Sequence, residues 1–201
     1  MKTTRVAIIF LSLRLANAFC DNCVDDTVEL NIGEIACPVR DVAFVKIAKY
    51  RGYTDNGAEY QKTFFASKYL RTDWFGAKVN CKAFNLELAT FETLTEAQTF
   101  LNMAWNHNFI MSHNLTFFLI DGMTLTPKST TDWYWTKNGE KISFKIPWQP
   151  DEPNFEFEEE HCLSVWIQDV KAIGFNDCKC QKLTWPFICQ RIDYYIPIRA
   201  N

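Results

Sequence analysis

Two short stretches carry the side chains able to do chemistry. WQPDEPNFEFEEEHC, residues 148–162, packs six carboxylates around two prolines and ends on a cysteine. Downstream, Asn176-Asp177 sets an amide beside an acid. Oxygen-rich side chains at close spacing suit a hard cation, because calcium takes six to eight oxygen ligands from carboxylates, amide carbonyls and water. Glu152 and Asn154 flank Pro153, and alternate side chains of an extended segment point the same way. Glu160 is a third candidate in the same loop. An EF-hand is excluded, since its loop turns on a central glycine and residues 148–162 contain none. Composition alone favours the plainer alternative, a solvated charged surface.

The cysteines set the compartment. Cys20, Cys23, Cys37, Cys81, Cys162, Cys178, Cys180 and Cys189 make an even set, which in a secreted chain reads as disulfides. Zinc competes with that reading, but His107, His113 and His161 show no ligand spacing. Cys20-Asp21-Asn22-Cys23 has redox-motif spacing without the strand and helix that such a motif needs. Residues 1–18 read as a signal peptide: Lys2 and Arg5, then the apolar run Val6–Leu13, then Ala16-Asn17-Ala18 as a cleavage site. Its apolar run is short of the roughly 20 residues a spanning helix needs. Cleavage would remove Lys2, Arg5 and Arg14 and no acid, taking the net charge from −3 to −6. An acidic chain without a basic run is a poor partner for nucleic acid or an anionic membrane.

With 201 residues, 48% of them hydrophobic, the chain can build one domain with a substantial core. Residues 19–36 read as a cysteine-containing extension. VAFVKIAKY and KTFFASKYL alternate like strands, and Asp55-Asn56-Gly57 between them signals a turn. A helix is expected over 73–84, capped by Thr72 or Asp73, with Trp74, Ala77, Cys81 and Phe84 on one face. A second is expected over 94–105, with Thr93 and Glu96 as a capping box and Ala97, Phe100, Leu101 and Ala104 inward. From residue 116 the pattern turns to short strands: TFFLIDGM, TDWYWTKNG, CLSVWI, AIGF, KCQKL and WPFICQRI. Residues 122–160 show little regular pattern, the mark of a functional or disordered loop. Early helices and late strands indicate an α+β domain.

Over about residues 37–192 the sequence resembles the C-type lectin-like domain family. Cys81, Cys162, Cys180 and Cys189 resemble its four invariant half-cystines, and the resemblance implies the pairs Cys81–Cys189 and Cys162–Cys180. Trp148 to Asn154 matches its Trp-x-Pro-x-Glu-Pro-Asn motif, and Phe175-Asn176-Asp177 its Trp-Asn-Asp, with phenylalanine in a packing position. The implied fold is two helices plus antiparallel sheets, stapled by disulfides, with a long calcium- and sugar-binding loop. Residues 193–201 remain as a C-terminal tail.

The resemblance implies Glu152, Asn154, Glu160, Asn176 and Asp177 as ligands of both calcium and sugar. Three carboxylates against a divalent cation leave about one negative charge, which favours a neutral polyol over an anion. The order Glu-Pro-Asn resembles the mannose-type subgroup, which takes equatorial 3- and 4-hydroxyls of mannose, N-acetylglucosamine or fucose. No reaction is implied, because carboxylates that bind calcium are not free for acid–base work. Phe155 and His161 stand where many relatives carry acids of a second calcium site, so that site is not expected. The rival expectation is a module of the same fold that binds a protein. Pairing of Cys20, Cys23, Cys37 and Cys178 stays open between internal bridges, a bridge from Cys178 to the extension, and a disulfide-linked oligomer; a non-covalent oligomer is open too. Asn114-Leu115-Thr116 is a glycosylation sequon. The resemblance extends to small secreted insect lectins, with innate immunity or body-fluid recognition as the implied setting.

Overall fold

The computed structural model describes residues 43–54, 56–167 and 172–195. The predicted signal peptide, the extension, and Cys20, Cys23 and Cys37 lie outside the described residues.

Two four-stranded antiparallel sheets form the frame. In the first, β1 (Phe44–Tyr53) pairs with β2 (Glu59–Ser67), and β2 with β8 (Ile188–Tyr195). The short β3 (Glu87–Leu88) completes it on the other edge of β8. The expected turn lies between β1 and β2: Gly57 donates to the Thr54 carbonyl at 2.8 Å with a φ of 79°, a conformation open to glycine at little cost. In the second sheet the order is β5 (Trp133–Tyr134), β4 (Phe117–Thr124), β6 (Glu160–Ile167) and β7 (Ile173–Lys179). β8 continues through Tyr195, into the segment read as a tail.

Both expected helices are present with the expected caps. In α1 (Trp74–Ala83) the Asp73 side chain accepts from the Gly76 amide at 2.8 Å. Trp74, Ala77 and Cys81 face inward, and Asn85 takes the left-handed conformation just past the end, at φ 55°. In α2 (Leu94–Trp105) the Thr93 hydroxyl accepts from the Glu96 amide at 3.1 Å, and Ala97, Phe100, Leu101 and Ala104 are buried. A third helix, α3 (Asn108–Ser112), was not expected; it is one turn long and buries only Ile110, too little for a periodic stripe. TDWYWTKNG forms only a two-residue strand before a tight turn closes, with the Gly139 amide donating to the Trp135 carbonyl at 2.8 Å. KCQKL is no strand beyond Lys179; the strand expected at AIGF instead runs on through Asn176 and Asp177.

The core divides into two clusters. The larger joins α2 to both sheets through Phe64, Phe91, Phe100, Phe118, Trp133 and Phe175. The smaller surrounds α1 and contains both disulfides' buried sulfurs. Cys81–Cys189 ties α1 to β8, with a Cα separation of 5.6 Å, and Cys162–Cys180 ties β6 to the residue after β7, at 5.2 Å. Both are the pairs implied by the resemblance. The first closes a 108-residue separation, and long loops are the ones a cross-link constrains most. The molecule thus has the α+β, disulfide-stapled arrangement that the resemblance implies.

One charge pair is wholly inside. Lys62 of β2 reaches Glu96 of α2 at 2.8 Å, both side chains being fully buried, and also donates to the Thr90 carbonyl at 3.0 Å and to Glu92 at 3.2 Å. Glu96 in turn accepts from the Glu92 amide at 2.8 Å, so the pair ties the capping box of α2 to the first sheet. Burial raises the Glu96 pKa despite the lysine. Lys62→Met leaves that carboxylate unpaired, and urea unfolding is expected to show a loss of about 3 kcal/mol.

Candidate functional site

The site begins with a backbone clamp. The Gln149 amide donates to the Phe175 carbonyl at 2.8 Å, and the Phe175 amide donates to the Pro147 carbonyl at 2.9 Å. The base of the acidic loop is thereby an extra rung on β7. Gly174 permits the approach: a Cβ there would lie 2.3 Å from the Gln149 nitrogen and 2.7 Å from its Cα. Phe175 anchors the rung from inside, fully buried, with its ring 5.6 Å from that of Phe91. Trp148 packs edge-on against Trp133 at 5.3 Å, which fixes the loop's first residue against the core.

From that base the chain turns back over β7. The Glu152–Pro153 peptide is cis. Glu152 and Asn154 meet across it, the Asn154 side-chain nitrogen donating to Glu152 Oε1 at 2.9 Å and its backbone amide to Oε2 at 3.0 Å. Asp177, on β7 and 2% exposed, accepts from the Asn154 amide at 3.2 Å and from the Phe155 amide at 3.1 Å. One aspartate therefore holds both residues that follow the proline. Glu160, at the start of β6, accepts from the Phe157 amide at 3.2 Å. Asn176 turns its amide nitrogen inward, to Ser164 Oγ at 3.4 Å and to the Asp177 carbonyl.

The five expected residues thus sit on two paired strands and the loop clamped to them. Glu152, Asn154 and Asp177 are joined directly; Asn176 adjoins Asp177 on β7, and Glu160 lies on the neighbouring strand. Their electrostatics are one-sided. Burial pushes the Glu152 carboxyl up to about 8, helped by a shared hydrogen bond with Asp177 and by repulsion from it. Glu160 is raised too, chiefly by burial, with the Phe157 amide opposing and Asp177 adding to the rise. None of the ion pairs among the described residues includes Glu152, Glu160 or Asp177. Of the remaining acids, Glu159 pairs with Lys182 at 2.7 Å, while Glu156 and Glu158 are exposed. Among the described residues no three His, Cys, Asp or Glu side chains are gathered closely enough to hold a metal by themselves. The donor set here is mixed, carboxylates with two asparagine amides.

Sequence reasoning missed three contributors. Gly174 and Gln149 make the clamp, and Ser164 of β6 both donates to the Asn176 carbonyl at 3.1 Å and accepts from its side chain. A glycine one residue before Phe175 was the available signal for the first. Cys178, left open in pairing, is buried within the smaller core cluster and makes no disulfide among the described residues, and burial raises its pKa.

A disulfide-stapled α+β module that clamps an acidic Glu-Pro-Asn loop onto an Asn-Asp strand is the arrangement that the resemblance to the C-type lectin-like domain implies. No family model and no curated protein matches the chain. Solved structures do match. The C-type lectin domain of murine dendritic cell inhibitory receptor 2, solved in complex with N-glycan, is 16% identical with a TM-score of 0.48, over 65% of this chain and 90% of that one. The cow carbohydrate-recognition domain of CD23, solved in the presence of an oligosaccharide, is 19% identical with a TM-score of 0.49, over 66% and 88%. The Ca2+-independent C-type lectin SPL-2 from Saxidomus purpuratus is 20% identical with a TM-score of 0.49, over 65% and 86%.

Gly174→Ala tests the clamp. The added methyl must push the Trp148–Gln149 backbone off β7, at an expected cost of about 1–3 kcal/mol in thermal or urea unfolding. Amide exchange at Gln149 and Phe175 should accelerate more than exchange in β1 or β2.

Proposed function

We propose that the protein is a secreted, calcium-dependent lectin for neutral glycans with adjacent equatorial 3- and 4-hydroxyls, as in mannose, N-acetylglucosamine or, in equivalent geometry, fucose. The observation that carries this reading is the Glu152–Asn154 pair, joined across Pro153 and pinned to Asp177, in a cluster of acids with no basic partner. Such a cluster is complete only with a cation, and its carboxylate and amide oxygens fit calcium. Glu152, Asn154, Glu160, Asn176 and Asp177 would hold the ion. Bound calcium supplies two further coordination positions that adjacent sugar hydroxyls can fill. The chain's own residues then set the orientation. Glu152 only accepts hydrogen bonds, and the Asn154 side-chain nitrogen donates. Acceptor and donor already face one another at 2.9 Å, so a vicinal diol can replace their mutual bond with one bond to each. Asn114, exposed and beyond the end of α3, is in a suitable place to carry a glycan. Secretion and a role in innate immune or body-fluid recognition complete the proposal; the first rests on the signal-like N-terminus and the cysteine usage, the second on the resemblance to small secreted insect lectins. No helix among the described residues is long and apolar enough to cross a membrane.

A glycan array read with and without a calcium chelator tests the proposal: mannose-type glycans should bind only with calcium. Binding unaffected by chelation would refute calcium dependence, and capture of a body-fluid protein that mannose does not compete would favour a protein-binding module. Exchanging the acid and the amide, Glu152→Gln with Asn154→Asp, should move preference from mannose toward galactose on the same array.

The Glu152 pKa makes a second prediction. In the calcium-free protein this group holds its proton to about pH 8, while in the unfolded chain it loses it near 4.5. The native state therefore binds the extra proton, and the stability it brings is fully present below pH 4.5 and lost as pH rises through 8. Calcium requires the ionised carboxylate, so the signs oppose. Affinity measured by calorimetry should rise about tenfold per pH unit between 6 and 7.5 and level off above 8. The thermal shift caused by calcium should be larger at pH 8 than at pH 5.

A further inference from the structure

Helix α1 has a second apolar side. Trp74, Ala77 and Cys81 face the core, while Val79 and Ala83, four residues apart, are both exposed, Val79 to 69%. With Leu86, just past the helix end, they line a groove of about 630 Å3. Leu86 and Leu88 are buried, so its apolar base belongs to the smaller core cluster and is preformed. Thr136 and Lys137, in the turn after β5, line it as well. None of the five candidate calcium ligands does. The volume lies in the range of small-molecule sites. The charges at this groove do not cancel. Lys78 reaches the buried Asp121 at 3.6 Å, and Lys137 holds Glu87 at 2.8 Å. Asp121 is further occupied by the Thr136 hydroxyl and the Lys137 amide. Lys82, in the last turn of α1 and exposed, also lines the groove and makes no ion pair among the described residues. Three lysines therefore stand against two acids, and one positive charge is left over at the edge of an apolar groove, in a chain of net charge −3. The chemistry that matches both features at once is a hydrocarbon with a single anionic head.

We propose that the groove between α1 and β3 binds small monoanionic amphiphiles of the medium-chain fatty acid class, with the hydrocarbon over Leu86 and Leu88 and the carboxylate at Lys82. Apolar contact supplies most of the affinity, because an exposed ion pair changes an equilibrium by only about two- to fivefold. The ammonium of Lys82 supplies the choice of head group. Neither calcium nor the Glu152–Asn154 pair takes part, so this site is independent of the lectin reading.

The test is calorimetric titration, with calcium chelated, of hexanoate, octanoate and decanoate, each below its micelle-forming concentration. One site is expected, with affinity rising about fourfold per added methylene. Amide NMR shifts on adding octanoate should gather at residues 78–88 and 136–137. Octan-1-ol, the uncharged counterpart, should bind about fivefold more weakly than octanoate in about 20 mM salt, and about 0.5 M salt should remove the difference. Lys82→Glu should bring octanoate down to the octan-1-ol value or below it and leave octan-1-ol unchanged. Val79 and Ala83 are exposed, so Ala83→Phe and, independently, Val79→Trp can fill the groove without displacing the core. Each should lose octanoate and octan-1-ol together. Absence of saturable binding, shifts that gather elsewhere, or affinity unchanged in both filled variants overturns the groove. Octan-1-ol binding as tightly as octanoate, with Lys82→Glu affecting neither, overturns the anionic ligand class.

Discussion

The pair of backbone hydrogen bonds between residues 147–149 and Phe175 is the constraint on which the site depends. Those bonds turn the start of an irregular loop into a rung of the second sheet. Everything beyond Trp148 is then placed relative to β7, the strand that carries Asn176 and Asp177. Asp177 completes the placement by accepting the amides of Asn154 and Phe155. A loop of this length without regular structure would otherwise have to order its polar groups at full entropic cost. Here its backbone donors are met at a few points, and those points include the candidate ligands themselves.

The contrast between two kinds of buried acid is equally informative. Glu96 has Lys62 at 2.8 Å, and Asp121 has Lys78 at 3.6 Å and the Lys137 amide at 2.9 Å. Those acids are complete within the chain and hold helices and loops to sheets. Asp177, Glu152 and Glu160 are also withdrawn from solvent to different degrees, yet have amides and no cation. Burial pushes the Glu152 and Glu160 carboxyls upward in pKa, and hydrogen bonds from neutral amides oppose that rise without cancelling the charge. A cluster of this kind destabilises the ionised protein locally, and a ligand cation would relieve it. The lectin proposal takes its force from that imbalance more than from the number of acids in the loop, since Glu156 and Glu158 are simply exposed to solvent.

Much of this was legible in residue order. The caps at Asp73 and Thr93, the inward faces of both long helices and the left-handed Asn85 are local, and each is written in side chains within a few positions of one another. Where the pattern was silent, the cause was length or context. α3 is too short to show a period. TDWYWTKNG alternates like a strand with a turn at Asn138-Gly139, and the chain does turn there and pair back on Trp133 and Trp135; only Trp133–Tyr134 pairs with β4, because both tryptophans go into the core. The sequence breaks the strand after Phe175 because the polar pair Asn176-Asp177 interrupts the apolar pattern; pairing with β6 buries them and keeps them extended.

The sequence by itself determined which residues are candidates and how they are grouped along the chain: four half-cystines, a Glu-Pro-Asn loop, an Asn-Asp pair, two capped helices. These rest on side-chain type and short-range spacing, which a linear chain displays directly. Only the tertiary structure decided that Glu152 and Asn154 meet each other, that Asp177 holds both residues beyond the proline, that Gly174 exists to let one backbone approach another, and that an apolar side of α1 shares a groove with the turn after β5. Each of those is a contact between segments at least twenty residues apart, or a conformation enforced by such a contact, and its energy belongs to the packed arrangement and to no single segment.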